Sequence, residues 1–171
     1  MIAYIALGVA VLLIGADQLI KYWAMTNLVE VGTIPLIGGV FHLTYVENRG
    51  AAFGMLQGQK WLLVGVASLV LLGAVVFLLS GRVKNRVLMW AIALIIAGGV
   101  GNLIDRTVRG FVVDYLDFRL INFYVFNLAD ACVCIGVGLV LLYLLVLEPR
   151  EQKRKALASQ KADDGGLSEQ K

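Results

Sequence analysis

Two aspartates, Asp114 and Asp130, stand where apolar segments meet polar ones. Asp130 comes three residues after Asn127, a favoured helix N-cap. An acid in that first turn sits at the positive end of the helix dipole, which stabilises a charge there. Asp114 follows Val112-Val113 in an otherwise apolar strip, where desolvation favours the protonated acid. Two carboxylates in opposed environments suit an acid/base pair that shares one proton, able to activate water and to protonate a leaving amine.

Other chemistries find little support. The four serines are Ser68, Ser80, Ser159 and Ser168, and none belongs to a G-x-S-x-G elbow. The single histidine, His42, lies in an alternating run, reads as a surface-facing strand residue, and cannot build a multi-histidine metal site. No metal or other cofactor is expected. Cys132 and Cys134 lie two apart in an apolar helix, on different faces, and read as buried, inert thiols rather than a disulfide or metal pair. Basic residues do not form a stripe interleaved with aromatics, so nucleic acid is not an expected partner.

The acids must be positioned by membrane helices. Of the 171 residues 60% are hydrophobic and mean hydropathy is +0.83, more apolar surface than a soluble domain of this size can hide. Four apolar runs have spanning length, near residues 2–24, 61–80, 87–104 and 128–147. Together they predict an all-α membrane domain over residues 1–150. A polar cytoplasmic tail, 151–171, is too poor in hydrophobics to order itself. The first run lacks the basic residues before it and the small-x-small site after it that mark a cleaved leader, so it is expected to be retained. Arg82, Lys84 and Arg86 in one short link, and Arg150, Lys153, Arg154 and Lys155 after the last run, place both termini in the cytoplasm.

Residues 25–60 and 105–127 then face the outer side, with Asp114 and Asp130 near that interface. Phe41–Val46 alternates as a half-buried strand and is expected to pair with Leu120–Phe126. The small β-rich cradle so formed would roof the acids, with Ala51–Leu56 on the membrane surface. Asp17 and Lys21, four apart on one helix face, are read either as a self-neutralised pair or as support for a site built by other helices. Asp105-Arg106 reads as an interfacial ion pair, and Asp117-Phe118-Arg119 as a solvated loop. Asn102 is expected to face Asp105 and Arg106, and Gly98, Gly99 and Gly101 to allow close helix approach.

Four motifs in order, DQLIK (17–21), ENRGAAFG (47–54), GGVGNLIDRTVRGFVVDYLDF (98–118) and FNLADACVCIG (126–136), closely resemble the lipoprotein signal peptidases, signal peptidase II. Tyr115 stands where that family commonly has phenylalanine, and Arg49 fills a variable slot. The resemblance implies an aspartyl endopeptidase of the bacterial cytoplasmic membrane that cleaves prolipoproteins just before a diacylglyceryl-modified cysteine. It implies Asp114 and Asp130 as the catalytic pair, with Asp17, Asn48, Asn102, Arg106 and Asn127 in binding or support. It also implies a globomycin-type inhibitor and contact with membrane lipid; a monomer is expected. Two other classes compete. A proton- or ion-coupled carrier would place its acids at mid-membrane in inverted repeats, and neither is visible. A non-catalytic scaffold would leave the two acids idle.

Overall fold

A computed structural model describes residues 2–51, 55–154, 156, 157 and 160. Helix α1 spans Ile2–Asn27, α2 Lys60–Leu79, α3 Arg86–Val108 and α4 Leu128–Leu142. All four are long and apolar enough to cross a membrane. The expected class is the one observed, a four-helix membrane protein with a small sheet. Large apolar side chains such as Leu12, Leu19, Trp61 and Leu69 are exposed. Lipid is a good solvent for them, so helices apolar all round need only one inward face.

α3 is the central helix. Its inward face runs through Ala91, Ala93, Ala97, Gly98, Gly101, Asn102 and Asp105, and small residues let the neighbours come close. At Gly98 the Ala129 carbonyl of α4 occupies the place a Cβ would take, and at Gly101 a Cβ would stand 2.6 Å from Asp17 Oδ2. The expected close approach therefore occurs, and it presses the first turn of α4 and the polar face of α1 against one stretch of α3.

Several boundaries lie further out than the hydropathy runs suggested. α1 continues to Asn27 and α3 to Val108, and the last helix runs on to Arg154. Within it Tyr143–Leu147 widens into a π-helical turn. Pro149 lies two residues beyond and cannot donate to the carbonyl a turn earlier, a usual cause of such a turn. Most of the expected tail (155, 158–159 and 161–171) lies outside the described residues, as do 52–54 of the expected surface segment.

Three antiparallel strands lie in the order β1 (Thr33–Ile37), β2 (Phe41–Asn48), β3 (Val112–Phe118). The chain enters them from the C-termini of α1 and α3 and leaves to the N-termini of α2 and α4, so the sheet caps one end of the bundle. The basic segments meet at the other end, where Asn85 Nδ2 donates to Glu151 at 2.7 Å. The expected strand partner is corrected. β2 pairs with Val112–Phe118, whereas the chain at 120–126 follows a short 3-10 turn, Arg119–Ile121, and makes a single bridge from Phe126 to Leu116. Asn122 adopts a left-handed backbone (φ 48°) that interrupts an extended run. β3 escaped recognition because both its faces are buried at Val112, Val113, Asp114 and Tyr115, which erases alternation. β1 carries Pro35, which confines it to the sheet edge.

Two further corrections concern single residues. His42 is buried, not surface-facing: it lies on the central strand between Pro35 and Asp117. Of the two thiols, Cys132 is buried as expected, but Cys134 is exposed on the apolar outer face of α4.

Candidate active site

Asn127 organises the acids. It is the N-cap of α4 and completes a capping box with Asp130. Its Oδ1 accepts from the Asp130 amide at 2.9 Å, and its own amide donates to Asp130 Oδ2 at 3.2 Å. The pattern is local, written within four residues. The other arm of the same side chain is not local: Asn127 Nδ2 donates to Asp114 Oδ1 on β3 at 2.6 Å. One fully buried residue therefore holds both carboxylates.

Asp114 is 2% exposed. Asn48 lies opposite Val112 in the β2–β3 register, so its side chain is diagonal to Asp114 on the same face. Its Nδ2 donates to Asp114 Oδ2 at 3.1 Å. Burial pushes the Asp114 carboxyl up to about 7, and the negative charge of Asp130 adds to that. The Asn48 and Asn127 donors and the Lys21 cation oppose the shift. The expectation of a desolvated Asp114 is met in structure. Asp130 is half-buried, and its Oδ1 accepts from Asn102 Nδ2 at 2.7 Å. A cleft of about 230 Å³ opens over Asp114, with Asn48, Arg49, Gln57 and Tyr124 in its walls.

Asn102 faces Asp130, Asn127 and Lys21 rather than Asp105 and Arg106: its Oδ1 accepts from Lys21 Nζ at 2.9 Å and from Asn127 Nδ2 at 3.2 Å. Asp105 and Arg106 do not pair as expected. Adjacent residues diverge on a helix, so Asp105 instead binds Arg109 four residues on and, across helices, Lys21 at 3.0 Å. Arg106 Nη2 donates to the Gly50 carbonyl at 2.8 Å, tying the end of β2 to α3, and its cation faces Asp130, Asp114 and Asp105. Asp117 is no solvated loop residue. It is buried at the end of β3 and accepts from Thr44 Oγ1 at 2.7 Å and Arg119 Nε at 2.8 Å.

Asp17 makes the i,i+4 pair and also reaches α4. Its Oδ2 pairs with Lys21 at 2.9 Å, and its Oδ1 accepts the Ala129 amide of α4 at 3.0 Å. The Tyr115 hydroxyl accepts the Leu128 amide at 3.2 Å. Hence the first three amides of α4 are met by Tyr115, Asp17 and Asn127, although a helix start cannot satisfy them internally. Sequence reasoning assigned no place in the site to Lys21, Asp105 or Tyr115. Lys21, one turn after Asp17 inside a spanning segment, was the available signal.

A family model described as signal peptidase (SPase) II matches residues 9–146. The chain is 50% identical over 146 residues to a lipoprotein signal peptidase of Clostridioides difficile (strain 630), covering 84% of this chain and 97% of that protein. It is 44% identical over 135 residues to one from Brevibacillus brevis, covering 78% and 90%. A solved structure described as a bacterial membrane enzyme, obtained by the in meso method at 2.3 Å resolution, superposes with a TM-score of 0.76 at 32% identity, over 82% of this chain and 87% of that one. With four spanning helices, the small sheet and these relatives, the chain belongs to the signal peptidase II family, the lipoprotein signal peptidases, and is a multi-pass membrane protease.

Proposed function

We propose that the chain is an aspartyl endopeptidase in which Asp114 and Asp130 are the catalytic pair. It removes signal peptides from prolipoproteins just before a cysteine that carries diacylglycerol. The observation that carries this reading is the pair of bonds from one buried residue, Asn127, to both carboxylates. Asp114 is the more desolvated of the two and holds the shared proton; Asp130, at the start of α4, holds the charge.

Water bound between them loses a proton to Asp130 as its oxygen bonds to the scissile carbonyl carbon. Asp114 gives its proton to the carbonyl oxygen, leaving a neutral tetrahedral diol. Asp130 then protonates the amide nitrogen as the C–N bond breaks, and Asp114 recovers its proton from a diol hydroxyl. The pair returns to its starting state, with no metal or other cofactor in any step. Asn48 and Asn127 orient Asp114, Asn102 orients Asp130, Asp17 anchors α4, and Arg106 fixes the wall of the cleft at Gly50. The cleft above Asp114 receives the substrate chain or a globomycin-type inhibitor.

The basic link 82–86 and the basic end of the last helix lie at one end of the bundle, the acids towards the other. By the positive-inside rule both termini are cytoplasmic and the site lies near the outer face of the bacterial cytoplasmic membrane, beside membrane lipid. Residues 1–150 form the peptidase domain, residues 151–171 a polar cytoplasmic tail, and one chain supplies both acids, so a monomer suffices.

The test is cleavage of a diacylglyceryl-modified prolipoprotein by Asp114→Asn, Asp130→Asn and the double variant. Each single variant should lose nearly as much as the double, because the residues act as a unit. Substantial turnover by either single variant refutes the pair.

A further inference from the structure

Lys21 is a cation with no access to water: its side chain is 0% exposed. Its ammonium has three N–H donors, and the structure places three oxygens around it. These are Asp17 Oδ2 at 2.9 Å, Asp105 Oδ2 at 3.0 Å and Asn102 Oδ1 at 2.9 Å. The two ion pairs would satisfy a purely structural role. The third bond goes instead to a neutral amide, and the nitrogen of that amide donates to Asp130 at 2.7 Å.

An asparagine amide can present either its oxygen or its nitrogen to a given neighbour. If Asn102 turned over, its oxygen would face the Asp130 carboxylate and its NH₂ would face the Lys21 ammonium. Acceptor would meet acceptor and donor would meet donor. The competing hold on Asn102 Oδ1 is weaker, because Asn127 Nδ2 divides its donors among Asp114 Oδ1, Asn102 Oδ1 and the Val113 carbonyl at 2.6, 3.2 and 3.3 Å. The charged donor is the stronger of the two.

We propose that Lys21 is a positioning residue of the reaction, whose ammonium locks the Asn102 amide so that its nitrogen is always offered to Asp130. The proposal rests on the reading of Asp114 and Asp130 as the catalytic pair. Lys21 touches neither acid and acts through Asn102. The network around it is closed by Asp17 on α1 and by Asp105 on α3, which also takes Arg109 and Gln18 Nε2. Beyond Asn102 lie Asp130 on α4 and Asp114 on β3, and Lys21's charge reaches the latter.

The test separates positioning from charge balance. Lys21→Met alone leaves Asp17 buried without a cation, whereas Asp105 keeps Arg109, and can fail to fold, so it is paired with Lys21→Met/Asp17→Asn, which removes one positive and one negative charge together and still offers an amide oxygen to the Ala129 amide. With diacylglyceryl-modified prolipoprotein as substrate, the double variant should fold with near wild-type thermal stability. Its kcat should fall about 10- to 100-fold, the worth of one hydrogen bond to a charged group, with KM within about twofold. In an Asn102→Ala background the further loss of kcat on removing Lys21 should vanish, since the effect travels through that amide. Wild-type kcat and an unchanged pH profile in Lys21→Met/Asp17→Asn overturn the proposal, as does full additivity with Asn102→Ala. Asp114→Asn and Asp130→Asn run in the same assay keep the two ideas apart. Turnover in those variants defeats the catalytic pair itself, whereas their inactivity beside a fully active Lys21→Met/Asp17→Asn defeats only the role of Lys21.

Discussion

Asn127 donates its side-chain amide to Asp114 at 2.6 Å across the gap between α4 and β3, while its backbone amide serves Asp130. A helix cap is thereby also the clamp between the two acids. Asn127→Ala should lose about 1 kcal/mol as a cap. It should lose more in activity, at least about tenfold in kcat/KM, because Asp114 loses its shortest donor. That donor lowers the Asp114 pKa, so its removal raises it, and the alkaline limb of the pH profile should move upward. A cap-only role would lower the melting temperature and leave the limb in place.

The pH profile of the wild type should be bell-shaped in kcat/KM. Asp114 is held near 7 by burial and by Asp130. It carries its proton below that pH and loses it above, so activity should decline as pH rises through about 7. On the acid side the pair holds a second proton and can no longer accept one from water. Because the sites are coupled, both apparent values belong to the pair. Initial-rate measurements from pH 4 to 9 decide this, and a flat profile across neutrality would sink the assignment.

Stability should carry the same signature. Asp114 has its ordinary value, 3.8, when unfolded and about 7 when folded. The folded state thus binds more protons between those values, and stability falls as pH rises from about 4 to 7. At about 1.36 kcal/mol per pKa unit the fall is of the order of a few kcal/mol. Asp114→Asn should abolish that slope while abolishing cleavage. Thermal melts in detergent at pH 5 and pH 8 would show it; an undiminished slope in the variant would assign the titration elsewhere.

The close approach of α3 and α4 gives a contrast within one substitution type. Gly98→Ala must push the Ala129 carbonyl away, and with it the turn that bears Asp130. Overpacking of this kind costs about 1–3 kcal/mol and should lower kcat. Gly8→Ala has open space around it and should be neutral or stabilising by up to about 1 kcal/mol. Equal behaviour of the two in melting temperature and cleavage would show that helix approach does not set the site.

Orientation is testable by labelling. In a chain with Cys132→Ala and Cys134→Ala, a cysteine at exposed Gln57 should react with an impermeant thiol reagent added outside. One at exposed Lys84 should react only after the membrane is opened. The reverse pattern would put the acids on the cytoplasmic side.

Features that depend on neighbours along the chain were legible in the residues alone. Length and composition set four spanning helices, because a bilayer selects for runs of about 20 apolar residues. Asn127 and Asp130 were legible as a helix start because a capping box is complete within four residues, and Val112-Val113 announced the desolvation of Asp114. Tertiary structure decided every relation that crosses elements. That β2 pairs with Val112–Phe118 rather than 120–126 depends on a strand buried on both faces, whose pattern carries no period. That Asp17 meets Ala129, and Lys21 meets Asn102, follows from α3 glycines that draw three helices together. Sequence names a buried charge as significant; which partner neutralises it depends on which helix faces are packed together, and no local pattern records that.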